Sequence, residues 1–175
     1  MKKNKTYAIA AAAITGAAYA ALTVLLAPIS YGPIQLRVSE LLCVLPFFMP
    51  CSAWGLFAGC AVANLLTGNV LDIVFGSLAT LFASLVTAQL GKRGSTAANR
   101  FLSCLTVVLT NAVVVGAVIT RAYNGMGIFS RPGAFALNAA QIALGEGAVM
   151  FIGGLPLMKY LPKLKVFREL VEKTN

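Results

Sequence analysis

The chain has 175 residues, of which 59% are hydrophobic and only 11% charged, and its mean hydropathy is +0.84. A soluble domain carries about 25% charged residues, so residues 1–175 read as a single integral membrane domain with no room for a separate soluble one. The net charge of +9 does not mark a nucleic-acid partner: the basic residues flank apolar segments rather than interleaving with aromatics.

The N-terminal MKKNK resembles the start of a signal peptide, but no clear cleavage site follows the apolar run, which reads as a helix over 7–26. That helix is rich in alanine. Ala8, Ala12, Gly16 and Ala20 form one ladder of small residues, and Ala13, Ala17 and Ala21 form a second beside it. Apolar helices gain nothing from leaving lipid for one another, so they associate by close backbone approach, which small residues permit. One ladder can serve packing within the chain; two adjacent ladders suggest that one faces another protein.

Next comes YGPIQLRVSE, residues 31–40, which carries Arg37 and Glu40 directly before apolar sequence. Charge beside a membrane core is costly and usually functional. Three residues apart, the two can pair on one helix face, either to shape the loop or to contact a ligand. Two short helices follow, 36–49 and 52–66. Each is about 14 residues, against about 20 for a straight span, so they must tilt or be shielded by neighbours. Asn64 lies near the end of the second. A helix over 70–90 begins with Asn69, placed to cap it, and Asp72, placed in its first turn where the helix dipole favours an anion.

After the polar loop 91–100 comes a helix over 101–120 with Asn111 midway, then a Gly- and Pro-rich loop over 121–133. The sixth helix, 134–158, carries Asn138, Gln141 and, in LGEGAVM, Glu146. A carboxyl group there must be protonated, paired or facing a wet cavity, and Gly145 and Gly147 would let a ligand or another helix approach closely. Residues 159–175 alternate Lys and Arg with Leu161, Leu164, Phe167, Leu170 and Val171. This is an amphipathic tail suited to the membrane surface or to a partner.

With the N-terminus inside and alternating spans, eleven basic residues fall inside and three (Arg37, Arg121 and Arg131) outside. Both termini are then cytoplasmic, and 31–40 and 121–133 lie at the outer face. Arg37, Glu40, Asn64, Asp72, Asn111, Asn138, Gln141 and Glu146 together outline an outward-facing polar pocket. Such a pocket suits a flat heterocycle with several N–H donors. Trp54 and Tyr123 are possible stacking partners, although Trp54 is better placed as an interface anchor. Cys43, Cys51, Cys60 and Cys104 show no CxxC spacing and there is no histidine, so they read as small buried hydrophobes and no metal is expected. There is no Walker A motif, nucleophile elbow or HExxH, so no catalytic or ATP-hydrolysing role is expected.

The segment YGPIQLRVSELLCVLPFF, residues 31–48, resembles the signature of the queuosine-precursor transport proteins. These are substrate-binding S components of energy-coupling factor (ECF) transporters. The six-helix layout, the alanine-rich first helix, the GN–LD junction at 68–72 and the glutamate of the sixth helix extend the resemblance over nearly the whole chain. It implies an all-α bundle of six transmembrane helices in a bacterial plasma membrane. It also implies docking of the first helix, through its small-residue face, on a transmembrane coupling subunit that carries two cytoplasmic ATPases. ATP would be used by those partners, and this chain would bind no cofactor. The implied ligand is 7-aminomethyl-7-deazaguanine or a related deazaguanine such as queuine. One carboxylate would read the guanine-like edge and another would neutralise the amine; Glu146 and Glu40 are expected in these roles, with Asp72 in reserve. The alternatives are an S component for another vitamin and a stand-alone channel or secondary carrier.

Overall fold

The computed structural model describes residues 5–32, 34–122 and 132–175. Most of the loop expected over 121–133, with Tyr123 and Arg131, lies outside the described residues. Every regular element among them is helical: α1 (Lys5–Leu25), α2 (Val38–Phe47), α3 (Ser52–Asn64), α4 (Asp72–Lys92), α5 (Ala97–Ala122), α6 (Pro132–Lys163) and α7 (Lys165–Thr174). Four of these, α1, α4, α5 and α6, are long and apolar enough to cross a membrane; α2 and α3 are the shorter apolar pair.

The second segment is helical where expected, but of a different kind. α2 is a 3-10 helix with Pro46 inside it. A 3-10 helix rises about 2.0 Å per residue against about 1.5 Å for an α-helix, so its ten residues reach further than their number suggests. Three residues per turn also stack Glu40, Cys43 and Pro46 on one ridge, and all three are buried. Two π-helical stretches interrupt the longer helices, Asp72–Gly76 at the start of α4 and Ala148–Gly154 just after Glu146 in α6. Such stretches are rare and concentrate at functional sites.

The core is built from Tyr19 of α1, Cys43, Val44 and Phe47 of α2, Leu56 and Cys60 of α3, and Cys104, Val107 and Met150 of α5 and α6. α1 lies along α3, α4 packs on α2 and α5, and α5 on α6. The α1–α3 seam is backbone on backbone. A Cβ on Gly55 would collide with the Ala12 carbonyl, one on Gly16 would lie 2.5 Å from the Gly55 carbonyl oxygen, and one on Gly59 would collide with Gly16. Part of the first small-residue ladder is therefore spent within the chain, whereas Ala13, Ala17 and Ala21 of the second are exposed. Trp54 is also exposed, beside the groove that runs between α1 and α3.

The tail packs partly against its own bundle. α7 turns back on its own chain: the Phe167 ring meets Phe48 edge-on at 5.5 Å, Lys173 Nζ sits over the Tyr7 ring at 5.3 Å, and Asn175 Nδ2 donates to the Phe48 carbonyl at 2.8 Å. Part of its apolar side closes this end of the bundle through Phe167, while Leu164 and Val166 remain exposed.

The seam sets a stability expectation. Gly55→Ala forces α1 and α3 apart and should cost about 1–3 kcal/mol, read as a lower unfolding midpoint in detergent. Gly133→Ala, where nothing lies within 4 Å of the new methyl, should leave the midpoint unchanged.

Candidate functional site

The segment after α1 makes a short helical turn, Ala27–Ser30, and then folds back toward the bundle interior. Leu36 N–H donates to the Ile29 carbonyl at 2.9 Å and Gln35 N–H to the Gly32 carbonyl at 3.0 Å. Gln35 holds φ of 47°, the one left-handed non-glycine among the described residues, a strained backbone state that tends to persist where function requires it. The loop passes directly over α6, where a Cβ on Gly145 would collide with the Ile34 carbonyl. The close approach expected at this glycine is made, by the loop backbone.

This path delivers Arg37 into the interior, where it is 2% exposed. Its guanidinium lies 5.5 Å from the Tyr31 ring centroid, and Nε and Nη2 have no hydrogen-bond partner. Tyr31 is in turn fixed by its hydroxyl, which donates to the Ala63 carbonyl at 2.6 Å. Burial pushes the Tyr31 hydroxyl above its usual value, so it stays a neutral donor.

Arg37 and Glu40 do not form a hydrogen-bonded pair. The Glu40 carboxylate accepts from the Tyr19 hydroxyl on one oxygen and from Cys43 Sγ, at 2.9 Å, on the other. Thr23 Oγ1 adds a 2.6 Å bond to Ser39 Oγ, so two polar contacts tie α1 to α2. Cys43 is thus a donor to a carboxylate as well as a buried apolar group. Tyr19 was not singled out from sequence. The available signal was Thr15, Tyr19 and Thr23 recurring every four residues among the alanines, and all three are buried.

Glu146 is 2% exposed, with Asn111 of α5 in hydrogen-bonding reach and Oε2 unpartnered. Asn64 Nδ2 donates to the Asp72 carbonyl at 3.1 Å, while Asn64 Oδ1 and Asp72 Oδ1 are buried without partners. Asn69 caps α4 as expected, its Oδ1 accepting from Leu71 N–H at 3.0 Å. Asp72, in the same turn, points inward and is 6% exposed. Unpartnered hydroxyls also occur at Ser30, Ser84 and Thr87, but the charged orphans, Arg37, Asp72 and Glu146, belong to one electrostatically linked group.

Beside Asp72 opens a cavity of about 480 Å³, within the usual range for small-molecule sites. Tyr31, Gln35, Thr67, Asp72, Asn138 and Gln141 supply its polar wall, and Leu66, Val118 and Ile119 its apolar one. Of the residues expected from sequence, Asp72, Asn138 and Gln141 line this cavity directly. Arg37, Glu40, Asn64, Asn111 and Glu146 are buried and do not line it. Asn138 also bridges helices, its Nδ2 donating to Thr120 Oγ1 at 2.9 Å. Trp54 is on the α1–α3 groove and takes no part.

The engagement of Glu40 is testable. Tyr19→Phe strands a buried carboxylate oxygen and should cost on the order of 1–3 kcal/mol. In a thermal-unfolding double-mutant cycle with Glu40→Gln, the two changes should be strongly non-additive.

A family model described as QueT transporter matches residues 9–163, from the first turns of α1 to the end of α6. The Queuosine precursor transporter QueT of Lactococcus lactis subsp. cremoris (strain MG1363) is 46% identical over 83 residues, which cover 46% of this chain and 49% of that relative. The alignment with this curated relative thus spans about half of its length. No solved structure matches the chain. The family match takes in all of the cavity wall and every buried charged residue beneath it, and on that extent the chain belongs to the QueT transporter family.

Proposed function

We propose that this chain captures a queuosine precursor, a 7-deazaguanine, in the cavity between the 31–37 loop, α4, α5 and α6. The observation that carries this reading is the set of buried polar atoms without partners. Asp72 Oδ1 belongs to the cavity wall, Arg37 Nε and Nη2 lie on a side chain that packs on the wall residue Tyr31, Asn64 Oδ1 on one that donates to the Asp72 carbonyl, and Glu146 Oε2 is buried in the same electrostatic group. In a bundle of apolar spans such atoms are costly unless something completes them. A guanine-like ring presents paired N–H donors and a carbonyl acceptor. Glu146 with Asn111 fits the donors, Arg37 fits the acceptor, and Leu66, Val118 and Ile119 supply apolar walls for the faces. Glu40 drops out as a direct contact because both its oxygens are already engaged. It holds α2, and with it Arg37, in place.

The chain would act as the S component of an ECF-type importer, multi-pass in a bacterial plasma membrane. The excess of basic residues at the opposite end of the bundle supports a cavity that opens outward. The exposed ladder Ala13, Ala17 and Ala21, beside the α1–α3 groove of about 410 Å³, supports docking on a transmembrane coupling subunit, with ATP hydrolysis in cytoplasmic partner subunits.

Two measurements check these parts separately. Glu146→Gln should weaken binding of 7-aminomethyl-7-deazaguanine to the purified chain by at least about tenfold, on the order of 1.4 kcal/mol; unchanged affinity would sink the site. Ala17→Trp should abolish co-purification with the coupling subunit and ATPases while leaving ligand affinity intact. Retained co-purification would remove α1 from the docking surface.

A further inference from the structure

We infer that the groove between α4 and α5 binds one acyl chain of an anionic phospholipid, with Arg121 holding the headgroup phosphate. The site lies outside the ligand cavity, and the inference is independent of the capture reading.

Two apolar hollows of about 430 and 340 Å³ lie on this face. They share Phe75, Val113 and Val114, so they form one continuous groove. Leu71, Phe75 and Phe82 wall it from α4, and Leu109, Val113 and Val118 from α5. Among the described residues that line it, only Thr110 and Arg121 are polar. Phe75, Phe82, Leu109 and Val113 are all about half exposed. Both helices are long and apolar enough to cross a membrane, so this groove opens toward lipid.

The groove has the reach of one leaflet. Leu71 and Phe82 are eleven residues apart on α4, and Leu109 and Arg121 twelve apart on α5. At about 1.5 Å per residue these are roughly 16 and 18 Å, against about 15 Å for half of a hydrocarbon core about 30 Å thick. Leu109 lies midway along α5, Ala97–Ala122. The groove therefore runs from the middle of the span to the end where Arg121 stands, which is the length an extended acyl chain covers below its headgroup.

Arg121 gives the groove its selectivity. Lipid tails are as apolar as the groove, so a bound chain gains packing but no hydrophobic stabilisation over any other lipid. The headgroup must discriminate. Arg121 is exposed in the last turn of α5, and a guanidinium there can take two phosphate oxygens through parallel N–H bonds. A headgroup with its own ammonium brings a second cation to that phosphate, whereas an anionic headgroup leaves it to Arg121. The α1–α3 groove has no charged residue among the described residues that line it, so the same argument selects no lipid there.

The test uses the full chain in vesicles of phosphatidylcholine with a minor fraction of phosphatidylglycerol that carries brominated acyl chains. Trp54→Phe removes the one native tryptophan, and Phe75→Trp places a reporter in the groove. Quenching of the reporter measures how much phosphatidylglycerol stands against it. That lipid should be enriched about fivefold over its bulk fraction, as about 1 kcal/mol per basic residue implies. Arg121→Gln should return it to near the bulk fraction, and Arg121→Lys should keep part of the enrichment. Should Phe75→Trp fail to fold, Phe82→Trp at the deep end serves as the reporter with the same expectations. Quenching at the bulk fraction in the parent, or enrichment that survives Arg121→Gln, would overturn the inference.

Discussion

The structure is organised around one guanidinium that has been taken out of water. Arg37 sits in the interior of a bundle whose other described cations are all at its surface or partly exposed, and a buried charge must be held by its surroundings. Much of the surrounding geometry follows from that placement. The 31–37 loop has to turn inward, so Gln35 takes a left-handed backbone and Gly145 gives up its side chain to let the loop carbonyls pass. Tyr31 lays its ring beside the guanidinium and is pinned by the Ala63 carbonyl. The carboxyl groups of Glu40, Asp72 and Glu146 stand close enough for their charges to act on it.

The same placement links the ligand end of the molecule to its outer surface. α2 carries Glu40 three residues after Arg37, and Glu40 is gripped by Tyr19 of α1. The reverse side of α1 bears the exposed alanines. One helix therefore faces the buried polar cluster with Thr15, Tyr19 and Thr23 and faces outward with Ala13, Ala17 and Ala21. On the capture reading, a ligand that settles against Arg37 alters the electrostatic environment of a contact made by the helix proposed to dock.

Much of this was legible in the sequence, because in lipid a polar residue is conspicuous. The segments were visible as apolar runs, the 31–40 segment as charge before a span, and Glu146 as a lone carboxyl between two glycines. The rest depended on contacts between distant residues. Nothing local showed that Glu40 would be claimed by Tyr19, twenty-one positions away. Gly145 announced a close approach but not by what, and the answer was the backbone of residues 34 and 35. The 3-10 form of α2 was hidden because its apolar run fits either helix type. Its ridge of Glu40, Cys43 and Pro46 is legible only once a period of three is considered. The tail carried an amphipathic pattern that specified an apolar partner surface, and the bundle itself provides part of that surface through Phe48.

The central claim is that the buried polar cluster, and no other cavity, receives the ligand. A structure of the chain with 7-aminomethyl-7-deazaguanine bound tests it most directly. The account predicts a flat density in the cavity walled by Tyr31, Gln35, Asp72 and Gln141, with the ring edge reaching Arg37 and Glu146. Density in the α1–α3 groove or along the α4–α5 seam, with Arg37 and Glu146 still unpartnered, would contradict it.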